Sequence, residues 1–375
     1  MITNQMLYHT HHLKPRKDDS MHMEEHIKKI SNNRNLSQHS QKALRNTLKH
    51  YTRLNQLTLD ELITEAETEE EKGIRWKHRK LRERLIQYQN HLLHNYKYNT
   101  TKLYMTMIKT WYHEHEIEIG KLPPINKNQA RIGEPITYND LPTKDTLKKA
   151  YYKANPVLRA IILFTISTGC GKQEVLNLTR QDYQEWIKPY TTDQILTEKI
   201  DIIPTIRLKR QKTNKHYYTF TTPEAIREIS IYLNTRHDDD PKLFKVSYRH
   251  LTYLMMKMND ELGLGFVNGT TRFRMHMLRK FHATSLHSGE NGLSLDEIDS
   301  LQGRGKDNIR ESYFLDNPED LKKKYIRNID KVTILDDVHT ITVDSPEVQK
   351  LREKADKIDE LEKLIKKIME KNQQP

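Results

Sequence analysis

The chain has 375 residues, with 63 Lys and Arg against 51 Asp and Glu, a formal net charge of +12. That length exceeds what one core ordinarily serves, so two domains with tails are expected. The basic balance points to a polyanionic partner, nucleic acid being the commonest, against the plainer alternative of a solvated basic surface.

The single cysteine, Cys170, excludes an internal disulfide framework and fits a reducing cytoplasm. The apolar stretch "AIILFTIS" (160–167) is far too short to span a bilayer, and the N-terminus carries no apolar segment of signal-peptide type, so no membrane partner is expected.

In chain order, residues 1–34 are polar, rich in His and Lys, and without sustained periodicity, which reads as a mobile polar arm. Helical segments follow over 35–119. "SQKALRNTLKHYTRL" (40–54) sets Leu44, Leu48 and Tyr51 on one face, and "TLDELI" opens with a capping-box pattern from Thr58 to Glu61. The period repeats through Leu81, Leu85, Tyr88 and Leu92, and again through Tyr104, Met107, Ile108 and Trp111 of the segment 100–115. The acidic run "TEAETEEEKG" (64–73) reads as solvated, with a loop between helices as its alternative placement. "GKLPPINKNQARIGEPI" (120–136) breaks helix repeatedly and reads as a linker.

A second, larger domain is expected over 137–334. Thr143 can cap its first helix, and "PVLRAIILFTIS" is apolar on most sides, as a buried helix would be. In "TIRLKRQKTNKHYYTFTT", Ile206 and Leu208 alternate with Arg207 and Lys209 before a turn and a β-prone return, which makes a hairpin with Lys212 near its tip. Thr222-Pro223 starts another helix, and helices continue through "MHMLRKFHATSLH", "SLDEIDSLQ" and "NPEDLKKKYIRNI". Over 345–372, Val348, Leu351, Ala355, Ile358, Ile365 and Met369 follow a heptad seam broken at Glu362, fitting a short coiled coil or an amphipathic helix folded back on the body. The fold class expected is mainly α with a small β-hairpin.

The chemistry-bearing candidates are cations and one tyrosine. His276 and Arg279 lie three apart on one helix, where a pair of this kind can grip phosphate oxygens and move a proton, though each could be an ordinary surface residue. Arg304 sits in a Gly-flanked turn, "LQGRGKDN", nine residues before Tyr313 of "RESYFLDNP". A tyrosine becomes a nucleophile only where cations stabilise the developing charge; otherwise it is a packing aromatic. The histidines of "YHTHHLK" (His9, His11, His12) and "YHEHE" (His113, His115) lack a full ligand set, so neither a metal nor another cofactor is expected. Cys170 reads as packing at a helix end.

The order "STGCGKQEVLNL", hairpin "KTNK", "HMLRKFHAT", "LQGR" and "ESYFLDNP" resembles the tyrosine recombinase family, most of all its archaeal integrase branch. The family pattern runs from a T-G-x-R-x-x-E-L box through a hairpin lysine, H-x-x-R and a G-[H/W] turn to the tyrosine. The likeness covers about 140–330, with the helical domain before it placed as the family's DNA-clamping core-binding domain.

That resemblance implies a site-specific integrase of a mobile element that cuts and rejoins duplex DNA at attachment sites, as a tetramer on DNA, with an accessory DNA-bending protein as a further partner. Tyr313 would attack the phosphodiester to form a 3′-phosphotyrosyl link, and Arg279 and His276 would bind its free oxygens. Lys212 would protonate the 5′-oxygen, and Glu174 would support the basic cluster. Two positions depart from the pattern. Gly171 stands at the first arginine, so its role passes to Lys172 one place on, a point charge in place of a planar fork. Arg304 stands at the usual His or Trp. Gly171 also favours the alternative of a DNA-binding protein on the same fold that has lost strand cleavage. Tyr325, inside a later helix, is the competing tyrosine and reads as packing.

Overall fold

The computed structural model describes residues 17–129, 135–210, 214–305 and 317–335. Lys212, Tyr313, the histidines before residue 17 and the helix expected over 345–372 lie outside the described residues. The chain divides into two compact units, Met1–Glu134 and Pro135–Pro375.

The first unit contains α1 (Lys17–Arg34), α2 (Gln38–Asn55), α3 (Leu59–Glu71), α4 (Lys80–Asn95) and α5 (Tyr98–His113). The arm expected over 1–34 needs correction: from Lys17 it is helix, and Met23, Ile27 and Ile30 are buried in the unit's core. Their spacing of four and three residues makes a narrow apolar stripe that the surrounding charge conceals. The acidic run is corrected too, since it belongs to α3 and is not merely solvated. Glu65 takes Arg84 bidentately at 2.6 and 2.9 Å, and Glu70 takes Arg79 at 2.6 Å. The buried Glu69 carboxylate accepts the N–H of Lys80 at 2.7 Å and so caps α4, whose own N-cap residue offers no side chain. The expected capping box at Thr58 forms: Glu61 N donates to Thr58 Oγ1 at 3.2 Å, and Thr58 N to Glu61 Oε2 at 2.7 Å. On α5 the buried stripe runs through Met105, Ile108, Trp111 and Tyr112, while Tyr104 and Met107 are only partly covered. Leu122 and Ile125, in the segment read as a linker, pack against this same core.

The second unit is mainly helical with a small hairpin, as expected. Its axis is α7 (Pro156–Thr168), buried at Leu158 and continuously from Ala160. Asn155 caps its start and Gly169, at φ +66°, ends it. Around it stand α6 (Lys144–Lys153), α8 (Lys172–Asn177), α9 (Arg180–Ile187), α10 (Thr192–Thr197), α11 (Pro223–Asn234), α12 (Tyr248–Glu261), α13 (Met275–His287), α14 (Leu295–Leu301) and α15 (Pro318–Arg327). Strands β1 (Thr205–Arg210) and β2 (Lys215–Phe220) pair antiparallel from Thr205↔Phe220 to Arg210↔Lys215. A second pair, β3 (Phe266–Val267) with β4 (Thr270–Thr271), precedes α13. No helix among the described residues is long and apolar enough to cross a membrane.

One buried acid gives this unit a pH dependence. Glu224, in the first turn of α11, accepts the N–H groups of Ile334 at 3.1 Å and Leu335 at 2.8 Å. Burial pushes its pKa from 4.5 up to about 7, against those hydrogen bonds and the charges of Lys144 and Arg227. The folded state therefore binds more protons between those two values, so this contribution is complete below 4.5 and is lost as the pH rises through 7. Glu224→Gln cannot ionise. The thermal midpoint of the wild type relative to this variant, followed by calorimetry from about pH 5 to about pH 8, is expected to fall with rising pH. A constant difference would overturn the assignment.

Candidate active site

Three pieces of chain meet around Arg279: the end of α7, the first turns of α13, and the turn after α14. α13 spans Met275–His287, and Arg279 is buried in it together with Met277, Leu278 and Phe281. Its guanidinium donates from Nη1 to the Gly169 carbonyl at 2.7 Å and from Nη2 to the Gln302 carbonyl at 2.6 Å. The planar fork thus spans two elements that are distant in sequence, which a lysine could not do with the same geometry. Burial lowers its pKa, and the neighbouring charges of Arg210 and Arg304 lower it further against Tyr217 and Cys170. Among the described residues no carboxylate forms an ion pair with Arg279.

Gln302 is the keystone of the turn. Fully buried, it donates from Nε2 to the Arg279 carbonyl at 3.0 Å and lies 3.0 Å from Nδ1 of His282. Complete burial drives the pKa of His282 down to about 3, and Arg279 and Arg304 push it the same way, so the ring is neutral and its Nδ1 can accept. These contacts hold the turn against α13. Gly303, at φ +59°, has the Tyr217 ring where a Cβ would be, only 2.4 Å from its Cδ1, so β2 closes on the turn from the other side.

His276 is exposed, one turn before Lys280. Partial burial lowers its pKa, and the charges of Lys280, Arg274, Arg279 and Arg304 lower it further. The ring therefore lies in a field of four cations. Arg304 meets Asp299 at 3.3 Å across a partly exposed pair, and no carboxylate ion-pairs with Arg274 or Arg210 among the described residues. Like charges gathered with so few counter-charges raise the energy of the empty site and favour an anion there.

His276, Arg279 and Arg304 are thus brought together. Lys172 is not. As the first residue of α8 it points toward α12, with Nζ 3.5 Å from the centroid of the Tyr248 ring and hydrogen-bonded to Thr252 Oγ1. Its charge is not among those felt by Arg279 or His276, and burial alone lowers its pKa. Glu174 folds over Gly171, where a Cβ would lie 2.0 Å from its Oε2. It makes no hydrogen bond to Arg279 or His276 among the described residues; its charge reaches Cys170 and Tyr217 instead. Cys170 is fully buried, with the Tyr217 hydroxyl donating toward its sulfur at 3.7 Å. Tyr325 is fully buried as well; its hydroxyl donates to the Ser167 carbonyl at 2.9 Å, and burial holds its pKa well above the ordinary range. His115 is tied to Trp111 O at 2.8 Å and to His26 at 3.0 Å, and no metal-holding group of three or more His, Cys, Asp or Glu occurs among the described residues.

Arg274, Lys280, His282, Gln302 and Arg210 belong to this cluster without being singled out by any motif above. His282 had a signal, because His276, Arg279 and His282 recur every third residue. Arg210 had a better one: alternation places it on the same strand face as the buried Ile206 and Leu208. Gln302 had none.

Compared with known proteins, the sequence matches no protein-family model and no curated protein. By structure the chain is similar to solved recombinases and integrases. The crystal structure of XerA recombinase is 18% identical, with 81% of this chain and 98% of that chain covered at a TM-score of 0.34. A lambda integrase tetramer bound to a Holliday junction is 13% identical over 79% of this chain and 77% of that one, with a TM-score of 0.46. The Tn1549 transposon integrase in complex with circular intermediate DNA is 14% identical over 80% and 97%, with a TM-score of 0.42.

Proposed function

We propose that this chain is a site-specific tyrosine recombinase that cleaves and rejoins duplex DNA through a 3′-phosphotyrosyl intermediate, in the integration or excision of a mobile element. The observation that carries this reading is the buried Arg279, gripped by two carbonyls and unpaired with any described carboxylate, beside His276 and Arg304. Preorganised cations of this kind stabilise the charge that builds on a phosphate in the transition state. The motif order from "STGCGKQEVL" to "ESYFLDNP" supplies the tyrosine.

In the proposed step the Tyr313 oxygen attacks phosphorus, the bond to the 5′-oxygen breaks, and that oxygen takes a proton from Lys212. Arg279 and Arg304 neutralise the two free oxygens. His276 is held neutral by its surroundings, so it can receive the tyrosine proton; a bound phosphate raises its pKa and keeps that proton in place. The phosphotyrosyl bond keeps the energy of the bond broken, so the reverse attack by a 5′-hydroxyl rejoins the strand. Two duplexes and four such sites imply a tetramer on DNA.

The test is covalent capture on a library of nicked duplexes with randomised cores. Wild-type chain is expected to form an adduct that survives denaturation, and Tyr313→Phe to form none while still binding duplex. An adduct retained in Tyr313→Phe would move the nucleophile elsewhere. Tight binding without any adduct from the wild type would leave the silent DNA-binding reading in its place.

A further inference from the structure

Resting on the recombinase reading, we infer that Arg210, at the end of β1, is a further phosphate-binding guanidinium of this site beside Arg279 and Arg304, and that it replaces the arginine absent at Gly171. The sequence pattern passes that role to Lys172, but the Lys172 ammonium is engaged by Tyr248 and Thr252 on α12. Arg210, unlike Lys172, lies near enough to Arg279 for its charge to act there. It stands on the inner face of β1, in line with Ile206 and Leu208, at the last pair of the hairpin ladder opposite Lys215.

Its Nη1 donates to the Gly303 carbonyl at 2.6 Å, while Nη2 of Arg279 donates to the Gln302 carbonyl at 2.6 Å. Two guanidiniums therefore hold consecutive carbonyls of one turn, and the next residue of that turn is Arg304. They are close enough for the charge of Arg210 to oppose that of Arg279. Among the described residues only Nη1 of Arg210 is engaged and no carboxylate balances it, which leaves Nε and Nη2 as donors. Carbonyl dipoles that fix two like charges side by side cost energy in the empty site, and an anion bridging the two forks recovers it. A phosphodiester, with two free oxygens, is such an anion.

A guanidinium that neutralises phosphate charge can be told apart from one that only braces a turn. The duplex captured by the wild type is resynthesised with a methylphosphonate at the scissile position, which removes one charged oxygen. Arg210→Gln keeps a donor for the Gly303 carbonyl and drops the charge. It is expected to lose about 10²–10³-fold in adduct formation on the ordinary phosphate and to return to within about tenfold of wild type on the methylphosphonate. Lys172→Ala is expected to stay within about threefold of wild type on the phosphate. Full activity of Arg210→Gln, or equal loss on both substrates by a folded variant, would overturn the assignment. So would a loss in Lys172→Ala that the methylphosphonate rescues. Absence of any wild-type adduct would instead overturn the recombinase reading on which the assignment rests.

Discussion

Arg279→Lys is expected to reduce covalent-adduct formation by about 10²–10³-fold while duplex affinity stays within about tenfold. The positive charge survives this substitution, so long-range attraction to DNA changes little. What is lost is the fork. Arg279 reaches the Gly169 carbonyl with one terminal nitrogen and the Gln302 carbonyl with the other, at 2.7 and 2.6 Å. An ammonium on a shorter stem satisfies at most one of these in the same place, and leaving a buried carbonyl unpaired costs about 1–3 kcal/mol. The turn carrying Gly303 and Arg304 then loses one of its anchors to α13, so cations outside residue 279 shift as well. Single-turnover capture measures the first quantity, salt-titrated duplex binding the second, and urea unfolding checks that the second unit remains folded. Capture within about threefold of wild type would show that charge alone suffices and that the bidentate bridge has no part in the chemistry.

Much of the fold was legible because its signals are local. Thr58, Thr143 and Thr222 announce helix starts through side-chain oxygens that cap the backbone, and all three do so. Continuous apolarity marked α7, and strand alternation marked the hairpin with its inner Ile206 and Leu208. The motif "MHMLRKFHATSLH" placed His276 and Arg279 on the helix Met275–His287. The failures are those of tertiary direction. Nothing in "GCGKQEV" says that Lys172 turns to an aromatic ring on α12, because that depends on how α8 leaves the αL residue at Gly169 and on a helix some 80 residues away. The bracing role of Gln302 depends on a neutral histidine reaching it from α13. Helix α1 failed for a different reason: three buried apolar residues among charged ones make too narrow a stripe to stand out from an exposed arm.

The same dependence on tertiary approach makes Gly169 the position where the smallest chemical change should have a large effect. Gly169→Ala meets two separate penalties. At φ +66° an added Cβ crowds its own backbone, costing about 1–2 kcal/mol. That Cβ would also lie 2.6 Å from His282 Nδ1 and 2.9 Å from Gln302 Nε2. Both side chains are fully buried, so neither can swing into solvent, and overpacking of this kind costs about 1–3 kcal/mol more. Gly263 separates the two terms, since at φ +62° it has nothing within 4 Å of its would-be Cβ. In urea unfolding of the full chain, Gly263→Ala is expected to lose about 1–2 kcal/mol and Gly169→Ala about 2–5 kcal/mol. Equal losses would mean that the His282–Gln302 pair yields freely and does not brace the site. If it does brace the site, Gly169→Ala should also lose adduct formation under conditions where it is still folded. The displaced Gln302 carries the carbonyl that holds Arg279, and the Gly169 carbonyl that holds the other end of the same guanidinium belongs to the strained residue itself.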